Sequence, residues 1–149
     1  PNLVSAELRF RGYREALAKH GLVCDERLIV RGDFTEGGGY KGARELLERD
    51  VEYTAIFAAN DLMAIGAIKA LKEEKIAIPA DVSVVGFDGT GVCNYVEPPL
   101  TTVRLPVARL GSLAAQVVID LLQGKKDVER GIMLPIELVI RGSAQTPEL

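Results

Sequence analysis

The sequence is short of the residues that carry out most chemistry. Histidine occurs once, as His20, and cysteine twice, as Cys24 and Cys93. His20 stands at the end of a helical pattern, where an imidazole more often matches the helix dipole than serves as a base. The cysteines are far apart, without C-x-x-C or zinc-ligand spacing. They read as reduced thiols of a cytosolic protein, with a single disulfide as the alternative. No G-x-S-x-G elbow, H-E-x-x-H helix or G-x-x-x-x-G-K-S/T loop is present. The run Gly37-Gly38-Gly39 lacks the Lys-Ser/Thr of a phosphate loop, and Gly86-x-x-Gly89-x-Gly91 is misspaced for a dinucleotide fingerprint. No catalytic set, metal site or cofactor is expected, and the chain does not read as an enzyme.

An excess of positive charge is also lacking. Lys and Arg number 18 against 21 Asp and Glu, a net charge of −3. Nucleic-acid binding draws on phosphate neutralisation by a basic stripe, and none is present here, so DNA is not expected to touch this chain directly. The apolar runs are too short to span a bilayer, and no secretory leader opens the sequence. It begins at Pro1 without an initiator Met and is expected to be a fragment or a processed product.

What is present suits one soluble domain. Of the 149 residues, 48% are hydrophobic and 26% charged, enough for a packed core and unlike a disordered chain. Helical and strand periodicities alternate. Residues 5–20 read as a helix with Phe10, Tyr13 and Leu17 on one face and His20-Gly21 as its stop. Residues 27–31 (RLIVR) read as a strand, and the glycines of 32–39 as a flexible loop. The next helix carries Tyr40, Ala43, Leu46 and Leu47 as its apolar stripe, with Glu45 and Arg49 paired at i,i+4. Residues 53–58 read as a strand handing over at Asn60-Asp61 to a helix through Glu74. Further strands are expected at 82–87, 100–104 and 132–140, with Pro135 marking an edge or a bulge. Pro106 opens a long helix to Gln123, with Gly124 at its C′ position. Such alternation predicts an α/β fold: a mostly parallel, doubly wound sheet flanked by helices. The helix 62–71 is apolar on more than one side, which suggests a second subunit as well as the sheet.

Open α/β sheets bind ligands beyond the carboxyl ends of their strands. Those ends deliver Arg31-Gly32-Asp33-Phe34, Asn60-Asp61 and Asp88-Gly89. Carboxylate, amide and flat ring together suit a polyhydroxylated ligand such as a sugar, each charge-assisted bond contributing ~1.5–3 kcal/mol. The plainer readings stand beside this one. Asn60 serves equally as a helix cap, and Asp61 is better read as a cap; an ordinary turn at Asp88-Gly89 is the lesser reading, and a core ring at Phe34 has less core to join in a Gly-rich loop.

Three stretches resemble the lactose-repressor/galactose-repressor family in order and spacing: residues 58–67 (AANDLMAIGA), 78–88 (IPADVSVVGFD) and 98–104 (PPLTTVR). The opening around Arg9, Gly12 and Tyr13, the pair Leu110-Gly111 and residues 137–141 (ELVIR) are similar too, so the match runs along essentially the whole chain. The resemblance implies a cytoplasmic bacterial transcription regulator whose core is similar to periplasmic sugar-binding proteins. Members have a helix-turn-helix headpiece and two α/β subdomains with a small-molecule effector between them. On that pattern this chain is the C-terminal half of the core. Residues 1–103 would be the C-terminal effector-binding subdomain, 104–128 a crossover segment and helix of the N-terminal subdomain, and 129–149 the return strand and tail. The headpiece would lie outside the chain, and operator DNA would be reached only through it. Homodimers are implied, and no membrane.

Carried over by position, Arg9 matches the family's effector-contacting arginine, Phe34 its stacking aromatic, and Asn60 and Asp88 its polar ligand groups. Gly89 departs from the second aspartate of many repressors, and Leu105 from a common glutamine, which leaves the effector open between a sugar and another small metabolite. A periplasmic sugar-binding protein of a transporter is the alternative.

Overall fold

The computed structural model describes residues 4–129 and 131–146. Its elements are α1 (Val4–Lys19), α2 (Glu36–Glu48), β1 (Ala55–Phe57), α3 (Asp61–Glu73), β2 (Ser83–Asp88), β3 (Thr101–Arg104), α4 (Val107–Leu122) and β4 (Glu137–Val139). Short 3-10 turns occupy Glu26–Leu28 and Gly91–Asn94. The four strands lie side by side in chain order. β1 and β2 pair in parallel, as do β2 and β3, and β4 closes the edge antiparallel to β3.

Alternation along β2 assigns the two faces of the sheet. Val84 and Gly86 point toward α3, whose Ala64, Ile68 and Leu71 complete a core with Val82, Cys93 and Leu100. Phe87 points the other way, toward α1, where Tyr13 stacks on Phe57 with ring centroids 6.3 Å apart. The expected mostly parallel sheet flanked by helices is the observed architecture. Both cysteines are free thiols, Cys93 buried and Cys24 half-buried.

Several expected elements differ. Residues 27–31 form no strand: Glu26–Leu28 is a 3-10 turn, capped by the Asp25 side chain on Arg27 N. A strand needs a neighbour for its backbone groups, and among the described residues none pairs with this segment. Arg49 bonds the Arg27 carbonyl and, at 3.1 Å, that of Ile29. The strand expected over 53–58 is limited to Ala55–Phe57, and that over 132–140 to Glu137–Val139, which leaves Pro135 outside the ladder.

The glycine run is not a loop. Thr35 caps α2, its hydroxyl accepting from Gly38 N at 2.9 Å and donating to Asp33 Oδ1 at 2.6 Å, so residues 37–39 form the first turn of the helix. Glycine is required there by a close approach. A Cβ on Gly39 would collide with the Met63 carbonyl, and one on Gly66 with that of Glu36. The two helices therefore meet backbone to backbone, with Ala43, Ala67 and Ala70 buried beside Tyr40. This contact also accounts for the two-sided apolar character of α3, which is covered by the sheet on one side and α2 on another. Leu62, at 47% exposure, stays outside both.

α4 begins after Pro106, as expected, and Gly124 follows its end with φ +75°. None of its residues is buried, and Val107, Leu110, Val118, Ile119, Leu121 and Leu122 are exposed. Among the described residues, no helix is long and apolar enough to cross a membrane.

Gly66→Ala is expected to cost about 1–3 kcal/mol in urea unfolding, because the methyl group must displace the α2 backbone. Gly12→Ala, whose Cβ would meet nothing within 4 Å, is expected to gain about 0.5–1 kcal/mol through helix propensity. Equal effects at the two positions would contradict the interlocked-helix account.

Candidate functional site

The four residues singled out in the sequence come together at the carboxyl ends of β1 and β2. Arg9, on α1, donates from Nη1 to the Ala59 carbonyl at 2.6 Å and from Nη2 to Asp88 Oδ1 at 3.1 Å. Its guanidinium carbon lies 5.7 Å from the centroid of the Phe34 ring. Asn60 donates from Nδ2 to the Phe34 carbonyl at 3.0 Å. A helix, the turn before α2 and the ends of two strands thus meet at one guanidinium.

Each position has a local cause. Asn60 caps α3, its Oδ1 accepting from Met63 N at 2.9 Å, so the capping role is realised. The same amide reaches Phe34, and the residue is 6% exposed. Phe34 takes φ 66° at the turn before Thr35, and Asp88 takes φ 117° where β2 ends. Both lie in the left-handed region that disfavours side chains. The Asp88 carbonyl accepts from Leu105 N at 3.1 Å, tying the turn to the end of β3. Gly89 follows with φ +75°, and a Cβ there would come 2.6 Å from Arg104 Cα. The glycine that replaces a second aspartate is thus also a packing requirement.

Asp61 has a different role from the expected cap. It is 1% exposed and accepts three hydrogen bonds: from Thr90 N at 2.7 Å, Thr90 Oγ1 at 2.8 Å and Thr102 Oγ1 at 2.5 Å. Asp33 is likewise occupied locally, accepting from Thr35 N at 3.0 Å and from its hydroxyl. Neither carboxylate bonds Arg9 as Asp88 does.

Asp88 is the electrostatic centre of the site. Burial pushes its carboxyl above the usual range, the Arg9 charge pulls it back, and the nearby Asp61 charge adds to the upward push. With side chains 17% and 32% exposed, Arg9 and Asp88 form a partly dehydrated ion pair, which strengthens their attraction relative to a surface pair. The arrangement offers N–H donors, carboxylate acceptors and an aromatic ring at one edge. Among the described residues no group of three or more His, Cys, Asp and Glu could hold a metal ion.

The sequence reading missed Phe87. Its ring lies 4.0 Å from the Arg9 guanidinium carbon, and it lines an open groove of about 540 Å³ with Leu8, Arg9, Tyr13 and Phe57. Strand alternation was the available signal, since Phe87 must face away from Gly86 and hence toward α1. Of the four expected residues only Arg9 lines that groove, so the rim and the groove are different places joined by one side chain.

A sheet flanked by helices with polar groups gathered at its carboxyl edge is the layout in which open α/β folds bind ligands. Residues 1–144 match the family model of the periplasmic binding protein-like domain. The transcriptional regulator CelR of Thermobifida fusca is 37% identical over 142 residues, 95% of this chain and 42% of its own length. GalR of Escherichia coli is 37% identical over 148 residues, 99% of this chain and 43% of its own. A CelR–cellobiose complex superposes with a TM-score of 0.86 at 38% identity, covering 91% of this chain and 42% of that one. The chain belongs to the periplasmic-binding-protein-like family, within the lactose-repressor/galactose-repressor group. It spans 42% to 43% of the length of these curated relatives.

The raised Asp88 carboxyl has a signed consequence for stability. The folded chain holds this proton above the 3.8 of an unperturbed aspartate. Its contribution is therefore full below that value and is lost as pH rises through the folded value. Asp88→Asn lacks the titration, so its denaturation midpoint should gain on that of the wild type between pH 3.8 and neutrality. A gap independent of pH would mean that the carboxyl titrates normally.

Proposed function

We propose that this chain is the effector-binding C-terminal part of a transcription regulator, with a sugar or similar polyhydroxylated metabolite as effector. The convergence of Arg9, Phe34, Asn60 and Asp88 at one rim carries the reading. The Asp88 carboxylate accepts from paired hydroxyls, Arg9 donates to ring or hydroxyl oxygens, and Phe34 covers an apolar sugar face. Asn60, already bonded at both ends, acts mainly by holding Phe34. No bond is made or broken in this scheme, and the chain acts as a sensor rather than an enzyme.

The rest of the regulator lies outside the matched region, and its parts follow from the family. Residues 1–103 act as the C-terminal subdomain, 104–128 cross to the N-terminal subdomain, and 129–149 return. The exposed apolar stripe of α4 supports this division. Effector bound between the subdomains changes their angle, and hence the spacing of paired headpieces on operator DNA, with a coupling of ~1–3 kcal/mol. The protein works in the cytoplasm as a homodimer. Leu62 of α3, left exposed by both the sheet and α2, supports the choice of that helix as the contact. The transporter alternative has less support, because the relatives above are transcriptional regulators.

Calorimetry on the full-length protein with cellobiose and ribose tests the site. Asp88→Ala is expected to weaken binding at least roughly 10-fold while leaving the fold intact. Unchanged affinity would remove Asp88 from the site. Amide exchange tests the division: residues 107–122 should exchange at least roughly 10-fold more slowly in the full-length protein than in this 149-residue chain. Equal exchange would mean that α4 has no partner in the other half.

A further inference from the structure

We propose that Phe87 is a positioning residue for effector binding, its ring fixing the Arg9 guanidinium in the orientation that presents free N–H groups to the rim. The effector itself rests on the function proposed above; the Phe87–Arg9 geometry does not. Arg9 reaches the rim on a long, flexible side chain rooted in α1, a helix with no buried residue. Something other than packing of α1 must hold it. Two hydrogen bonds fix the guanidinium at its edge, to the Ala59 carbonyl at 2.6 Å and to Asp88 at 3.1 Å. Hydrogen bonds at the edge leave the plane free to tilt. Phe87 removes that freedom, with its centroid 4.0 Å from the guanidinium carbon. The Phe34 centroid, 5.7 Å away, is more distant, so Phe87 is the closer support and Phe34 keeps more of its ring for a ligand.

The donor inventory makes the orientation matter. A guanidinium has five N–H groups, and among the described residues only two bonds from Arg9 are formed. The remaining donors are useful to a ligand only if the plane is fixed. Fixing it in advance removes an ordering cost from binding. Alternation at Phe87 and the positive φ of Asp88 at the end of β2 build the device into three consecutive residues. Gly86 leaves room for Asp61, Phe87 turns to the opposite face to back Arg9, and Asp88 closes on the guanidinium edge.

The test uses the full-length protein with Phe87→Leu, Phe87→Met and Phe87→Tyr. Arg9 side-chain proton resonances, assigned with Arg9→Met, should show the upfield ring-current shift of a group stacked on an aromatic face. That shift should vanish in the Leu and Met variants and persist in the Tyr variant. Affinity for cellobiose or ribose should fall ~3–10-fold in Leu and Met and be restored in Tyr. In an Arg9→Met background, Phe87→Leu should have no further effect on affinity. Arg9 resonances that ignore Phe87→Leu, or an affinity loss that persists without Arg9, would overturn the proposal. If the wild type binds neither sugar, the effector class fails instead, and the ring-current comparison still decides whether Phe87 positions Arg9.

Discussion

A single buried carboxylate governs where the rim residues stand. Asp61 is 1% exposed, and dehydrating a charge costs several kcal/mol unless its acceptor sites are filled. Thr90 fills two of them and Thr102 a third, at 2.7, 2.8 and 2.5 Å. Those partners come from the loop after β2 and from the middle of β3, while Asp61 itself opens α3. Three elements are thereby locked in register with one another. Asn60 precedes Asp61, and Asp88 lies two residues before Thr90, so both rim groups inherit their positions from this network. It also explains Gly86, where a Cβ would stand 2.6 Å from Asp61 Oδ1. Any side chain there would push the carboxylate off its partners.

The rim itself is held under strain. Among the described residues, Phe34 at φ 66° and Asp88 at φ 117° are two of the three non-glycine residues with positive φ; the third, Lys75, follows the end of α3. Such conformations cost of order 1–3 kcal/mol each and persist where surrounding bonds over-determine them. Both are restrained in that way. The Phe34 carbonyl accepts from Asn60, whose other end caps α3, and Asp88 is held through its carbonyl by Leu105 and through its carboxylate by Arg9. The strain aims a ring and a carboxylate that unstrained backbone would point elsewhere. It is a cost of the site rather than of the core, where no such residue occurs among those buried.

These relations decide what could be read from the sequence. α3 and β2 were legible because their signals are local: a cap at Asn60, apolar periodicity, and alternation through residues 82–87. The extent of α2 was not, because Gly37-Gly38-Gly39 looks like flexible chain until the backbone of Met63 is seen against Gly39. Residues 27–31 have strand composition, but a strand is a property of two segments, and no neighbour pairs with this one among the described residues. Asn60 and Asp88 emerged from strand ends alone, and Phe34 from the end of an expected strand that the chain does not form. Arg9 did not: it lies in a helix among other charges, and the family resemblance singled it out. Phe87 escaped both routes, because an aromatic residue in a strand is ordinarily core. Asp61 reads as a cap in sequence because its partners, Thr90 and Thr102, are remote along the chain.

The sheet also links the rim to the part of the chain least supported by its own contacts. Asp88 pairs with Arg104, and Arg104 with Glu137, in one row across β2, β3 and β4. The chain leaves the sheet just beyond Arg104 and re-enters it at Glu137, so everything between, α4 included, hangs from that row. A 16-residue helix is marginal in water without an apolar partner, and α4 presents its stripe away from the described core. Whatever covers that stripe therefore pulls on the two strand ends flanking it. Arg104 and Glu137 are joined across the row by an ion pair at 3.3 Å, and the Asp88 carbonyl takes the Leu105 N–H at the point of departure. Asp88, and Arg9 bonded to it, thus stand beside the exit of the excursion. The rim and the segment that carries α4 are therefore anchored in the same row of the sheet.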